Sequence, residues 1–124
     1  MANILVVDDD RNIRRVLAAS LESASHQVTV AESAEHALEL FGSSAPAVVV
    51  SDVRMEGMGG LKLLESIKRL NPAMPVVMMT AFGSIPDAVE ALKLGAADYL
   101  VKPFMPTELL ARVARIIVEQ RRAA

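Results

Sequence analysis

A doubly wound α/β fold is what this 124-residue chain predicts, and three features of its sequence carry the prediction. Short β-rich apolar runs recur at residues 4–7, 28–30, 48–50, 76–79 and 99–101. A stretch with apolar residues at three- and four-residue steps follows each run. Turn and cap residues separate the two kinds of segment. Strict alternation of β and α units implies a parallel sheet with right-handed crossovers, because parallel neighbours need a helix-length connection. The expected architecture is (βα)5 in a single domain, 1–124, without linker, repeat or low-complexity segment.

Each element has its own justification. Ile4-Leu5-Val6-Val7 is apolar throughout, as a strand covered on both faces must be, and the runs at 48–50 and 76–79 share that character. His26-Gln27-Val28-Thr29-Val30 alternates instead, which suits a sheet edge. The five helical stripes are Ile13, Val16, Leu17 and Leu21; Ala34, Ala37, Leu38 and Phe41; Leu63, Leu64, Ile67 and Leu70; Ile85, Ala88, Val89 and Leu92; and Leu109, Val113, Ile116 and Ile117. Ser33 and Ser84 stand at N-cap positions, with Asp87 spaced after Ser84 as in a capping box. Asn71-Pro72 should stop the third helix, Gly95 should follow the fourth, and Pro106 should open the fifth. The tail 119–124 reads as a helix leaving the domain.

Composition narrows the function. Thirteen Lys and Arg against fifteen Asp and Glu give a net charge of −2. That leaves no basic footprint for nucleic acid and no polybasic membrane patch. Cysteine is absent, which excludes disulfides, thiol nucleophiles and thiolate metal sites. The two histidines, His26 and His36, are too few for a histidine-rich metal site and are assigned to surface positions. The seven methionines are assigned to packing. No apolar run is long enough to span a bilayer, and no basic, cleavable leader precedes Ile4. A soluble cytoplasmic domain is expected.

The informative polar residues follow the strands. In an open α/β sheet, ligands bind beyond the carboxyl ends of the strands, where strand order reverses. Asp8-Asp9-Asp10 follows the first strand, Ser51-Asp52 the third, Thr80-Ala81 the fourth and Lys102-Pro103 the fifth. If the order is 2-1-3-4-5, the acidic ends of the first and third strands face each other. One helix cap cannot use three carboxylates, so Asp10 is read as the cap and Asp8 and Asp9 as something more. Carboxylates crowded in one crevice repel unless a cation joins them, and oxygen donors without His or Cys suit Mg²⁺. A hydroxyl (Thr80) and an ammonium (Lys102) opposite them would cradle an anion. Metal, carboxylate nucleophile, hydroxyl and lysine are the parts phosphoryl transfer uses.

Val6-Val7-Asp8-Asp9-Asp10, Ser51-Asp52-Val53-Arg54-Met55, Thr80-Ala81-Phe82-Gly83 and Tyr99-Leu100-Val101-Lys102-Pro103-Phe104 together resemble the receiver domain of two-component response regulators. The resemblance covers essentially the whole chain. It implies a flavodoxin-like fold with strand order 2-1-3-4-5. It implies that Asp52 is the phospho-accepting aspartate, that Asp8 and Asp9 organise Mg²⁺, and that the Arg54 carbonyl is a further ligand. By position Thr80 matches the switch hydroxyl, Tyr99 the switch aromatic, and Lys102 the lysine that contacts the phosphoryl group; Lys102-Pro103 matches a peptide that is cis in the family. Arg54 and Phe82 match positions that border the path of the hydrolytic water. The partner implied is a sensor histidine kinase; the face of helix 4, strand 5 and helix 5 is the expected output surface, open to an attached effector or to a second copy in a homodimer. The wording of 51–55 and 80–104 is similar to receivers of the NtrC class, which regulate AAA+ activators of σ54-dependent transcription. The loop after Asp52 departs from the family in Glu56, where proline is usual, and in Gly59, where Asp or Asn is common.

Two other classes fit less well. A phosphatase with an aspartate nucleophile commonly needs a second carboxylate as general acid, and Arg54 stands two residues beyond Asp52. An FMN carrier would meet Asp8-Asp9-Asp10 with its phosphate and has few aromatics to stack on. The expectation is therefore a phosphorylation switch that catalyses only its own modification, coupled to transcription through an effector.

Overall fold

A computed structural model describes residues 2–81 and 84–123. Five strands alternate with five helices: β1 (Asn3–Val7), α1 (Arg11–Ser23), β2 (Gln27–Ala31), α2 (Ala34–Ser44), β3 (Val48–Asp52), α3 (Gly60–Leu70), β4 (Val76–Ala81), α4 (Ile85–Lys93), β5 (Asp98–Lys102) and α5 (Pro106–Ala123). The strands are parallel, in the order β2-β1-β3-β4-β5. The alternating segment around Val28 is an edge strand, the position its pattern suits.

The strand period of two divides the core into two layers. Ile4, Val6, Val48, Val50, Val77 and Met79 point toward α1 and α5, where Leu17, Leu21, Leu109, Val113 and Ile116 meet them. Leu5, Val7, Val49, Val76 and Met78 point to the other side, against Ala34 and Ala37 of α2, Leu63, Leu64 and Ile67 of α3, and Ala91 of α4. A sheet covered on both faces explains the unbroken apolar character of β1, β3 and β4.

The helix punctuation holds with one correction. The Asp10 carboxylate caps α1 by accepting from the N–H groups of Asn12 and Ile13 at 2.8 and 3.2 Å. Ser33 caps α2 through the His36 N–H at 3.0 Å. Asn71 ends α3, Gly95 follows α4 with a φ of +100°, and Pro106 is the first residue of α5. The capping box at Ser84 and Asp87 does not form, and the Ser84 side chain makes no cap hydrogen bond. The Ser84 N–H already donates to the Ala81 carbonyl at 3.1 Å, so the Asp87 carboxylate is free to turn elsewhere.

The apolar stripes are buried unevenly. Val16 of α1 is 54% exposed and lines a groove of about 570 Å³ with Phe104 and Pro106, and Leu70, at the end of α3, is 66% exposed. In α4 the expected stripe fails as a core face: Ala88 is buried, while Ile85, Val89 and Leu92 are exposed. Among the described residues, no helix is long and apolar enough to cross a membrane.

Candidate functional site

The ends of β1 and β3 lie side by side because Val7 pairs with Ser51 in the sheet register. This brings Asp8 and Asp52 to adjacent strand ends, and the turn into α1 adds Asp9. Carboxylate oxygens of Asp8, Asp9 and Asp52 all lie within 4.8 Å of one another. Asp8 and Asp52 are buried, whereas Asp9 is exposed at the mouth. An all-oxygen donor set of this kind, closed on the protein side and open to solvent at Asp9, matches a small hard cation that keeps several waters.

Lys102 reaches this cluster from the end of β5. Its Nζ lies 3.1 Å from Asp8 Oδ2 and 3.2 Å from Asp52 Oδ2, bridging the two strand ends. The Lys102-Pro103 peptide is cis, as the family resemblance implied. Burial works against the Lys102 ammonium, but the Asp52 and Asp8 carboxylates outweigh it and hold its pKa above the ordinary lysine value. Burial likewise pushes the Asp52 carboxyl up. The opposing pull of Lys102 does not cancel that effect, to which the Asp8 charge adds. Burial and the Asp8 charge thus oppose ionisation of Asp52, and a further cation beside it would favour the ionised form.

Thr80 is buried one residue beyond Met79, the partner of Asp52 in the sheet. Its hydroxyl donates a long bond, 3.5 Å, to the Leu100 carbonyl. Tyr99 is half-buried and packs against the α3 side of the core. A cavity of about 320 Å³ between α4 and β5 is lined by Thr80, Ser84, Ala88, Leu92, Tyr99 and Val101. Arg54 lies just beyond the site, its N–H donating to Asp52 Oδ1 at 3.4 Å and its side chain exposed. Phe82 and the neighbouring Gly83 lie outside the described residues.

Three contributors escaped the sequence reading. Gly60 packs so closely behind the site that a Cβ there would stand 1.9 Å from the Asp52 carbonyl oxygen. The Gly59-Gly60 pair before an apolar helix was a visible signal of such a close approach. Arg14 donates to the Asp8 carbonyl at 2.7 Å and so pins the turn that carries the acidic pair. Glu35 of α2 accepts from the Met58 N–H at 3.4 Å, steadying a loop in which Gly57 has a φ of +73°. Nothing local in the sequence pairs Arg14 or Glu35 with those loops. Gly59, at the N-cap of α3, supplies no side-chain bond there, which is the consequence of lacking the family's usual Asp or Asn.

Carboxylates converging at the switch point of a 2-1-3-4-5 sheet, with a lysine bridging two of them, define the protein class as a doubly wound α/β domain with an acidic site at its strand ends. The family described as response regulator receiver domain matches residues 4–114, and the chain belongs to it. Response regulator protein FleR of Pseudomonas aeruginosa is 46% identical over 92% of the chain, and the DNA-binding transcriptional regulator NtrC of Escherichia coli is equally so. The chain spans 24% of the length of each of these relatives. Among solved structures, a response regulator receiver domain protein from Clostridium thermocellum superposes with a TM-score of 0.95 at 30% identity, covering all of both chains. NtrX from Brucella abortus gives 0.94 at 36% identity, over 98% of this chain and 28% of that one.

Proposed function

We propose that this receiver, taking in the whole of 1–124, accepts a phosphoryl group on Asp52 from a sensor histidine kinase in the cytoplasm and relays that state to a transcription effector. The observation that carries the reading is Lys102 Nζ, held between Asp8 and Asp52 beside a three-carboxylate cluster. An Asp52 carboxylate oxygen attacks phosphorus, and the bond to the donor, a phosphohistidine nitrogen or the oxygen of an acyl phosphate, breaks with its electron pair leaving on the donor. The product is a mixed anhydride, which water hydrolyses to restore the carboxylate. Asp8, Asp9, Asp52 and the Arg54 carbonyl would hold Mg²⁺, which when bound offsets negative charge on the phosphoryl oxygens. Lys102 and the Thr80 hydroxyl take up oxygens of the transferred group. The domain handles only its own modification and in this reading is a signal carrier rather than a turnover enzyme.

The output follows from Thr80. A phosphoryl group offers stronger acceptors than the long bond to Leu100, so the hydroxyl turns inward. The cavity beside it then gives the Tyr99 ring room to move, and the face of α4, β5 and α5 changes shape. A second copy is the occupant proposed for that face, and nucleic acid and membrane are not contacted by this domain. Support comes from Ile85, Val89, Leu92 and Val101, which leave an exposed apolar surface there.

Labelling with acetyl phosphate and Mg²⁺ tests the acceptor. Asp52→Asn should abolish incorporation while the protein stays folded, and incorporation that survives in the folded variant removes the nucleophile. Sedimentation with and without beryllofluoride tests the output: the parent should self-associate with the mimic and Thr80→Ala should not. A response from Thr80→Ala equal to the parent's breaks the proposed route.

A further inference from the structure

The Arg54 side chain does something that neither its backbone nor its place in the chain explains. Its guanidinium forks onto one oxygen of Asp87, with Nε at 3.0 Å and Nη2 at 2.9 Å from Oδ2. The two residues are 33 positions apart, and they join the loop after the Asp52 strand to the first turn of α4. Both line an open crevice of about 510 Å³ whose wall also includes Asp9. The Asp87 side chain is 19% exposed and anchored in its helix, whereas that of Arg54 is 72% exposed and unhindered.

We infer that Asp87 is a positioning residue that holds the Arg54 guanidinium away from Asp52, and that a phosphoryl group on Asp52 competes with Asp87 for it. The inference rests on Asp52 being the phosphoryl acceptor. A phosphoryl group brings a charge of roughly −1.5 to −2 and three oxygens with several lone pairs each, so the partners proposed for it above leave acceptor sites that compete with the single charge of Asp87. Arg54 starts beside the acceptor, since its N–H donates to Asp52 Oδ1. Its guanidinium suits bidentate capture of either anion. Transfer of the guanidinium to the phosphoryl group unties the first turn of α4. That helix has little else to hold it, because its buried residues are the alanines Ala88 and Ala91. The tie thus opposes two events together, capture of the phosphoryl group by Arg54 and movement of α4. By linkage, removing Asp87 must favour the phosphorylated state by the factor with which phosphorylation loosens the tie.

Beryllofluoride titration in Mg²⁺, followed by the fluorescence of Tyr99, the sole tyrosine in a chain without tryptophan, measures this directly. Asp87→Asn should tighten binding of the mimic by roughly two- to fivefold, the range expected of an exposed ion pair. In the Arg54→Gln background the same substitution should change nothing, because the tie is already gone. Equal affinity in the parent and Asp87→Asn overturns the inference. An equal gain in the Arg54→Gln background also overturns it, since Asp87 would then act only through its charge at a distance. A parent that fails to bind the mimic overturns the phosphoryl-acceptor reading itself, and the competition falls with it.

Discussion

Helices α3 and α4 sit on the same side of the sheet and read alike in sequence, yet the fold uses them differently. The α3 stripe of Leu63, Leu64 and Ile67 is fully buried against Leu5, Val49, Val76 and Met78. The α4 stripe turns outward, and its contact with the sheet is made through Ala88 and Ala91. Short side chains bury little apolar area, so α4 lies over β4 and β5 with few interactions to lose. The movement proposed for α4 on phosphorylation needs a helix at that end of the range, and the helix that backs the site belongs at the other. Amphipathicity therefore reports that a helix has an apolar face without saying which partner covers it.

The largest expected effect breaks α3. Ile67→Ala removes a fully buried side chain and should cost about 3 kcal/mol in denaturant unfolding, whereas Leu92→Ala in α4, 47% exposed, should stay within about 0.5 kcal/mol. Similar losses at the two positions would erase the contrast. Gly60→Ala comes next. Its Cβ would overlap the Asp52 carbonyl and the Val53 Cα, for a cost of about 2 kcal/mol. Because the displaced residue is Asp52, the same variant should also label more slowly with acetyl phosphate than any α4 surface variant.

A pH-dependent contrast follows from Asp52. Its folded pKa is raised by burial, so the contribution of this group is fully present below its unfolded pKa and is lost as pH rises through the folded value. Asp52→Asn removes that loss. The variant should be more stable than the parent at neutral pH, and the difference should shrink as pH falls through the range in which Asp52 protonates. Thermal unfolding of both proteins across that range checks the sign. The smallest effect concerns caps: Ser33→Ala should cost about 1 kcal/mol, and Ser84→Ala only a few tenths, because Ser33 alone of the two makes a side-chain cap bond.

The site was legible because its parts fall at the same place in successive units. Asp8, Asp52, Thr80 and Lys102 each follow an apolar strand, so a parallel sheet brings them to one edge. Asp10 was legible as a cap for a local reason, since a carboxylate at that position reaches the N–H groups of Asn12 and Ile13. The Ser84 and Asp87 pair had the right spacing and still failed. The Ser84 N–H was taken by Ala81, and the Asp87 carboxylate by an arginine from another loop.

The order of strands and helices, the burial of β1, β3 and β4 on both faces, and the gathering of acidic and basic groups at one sheet edge were determined by the sequence alone. These depend on period and punctuation, which act over a few residues and repeat. The tertiary structure decided the Arg54–Asp87 pairing, the close seat of Gly60 behind Asp52, the hold of Arg14 on the Asp8 carbonyl, and the outward turn of the α4 stripe. Each of these depends on which distant backbone or side chain occupies the neighbouring space. That is a property of packing, which no local pattern encodes.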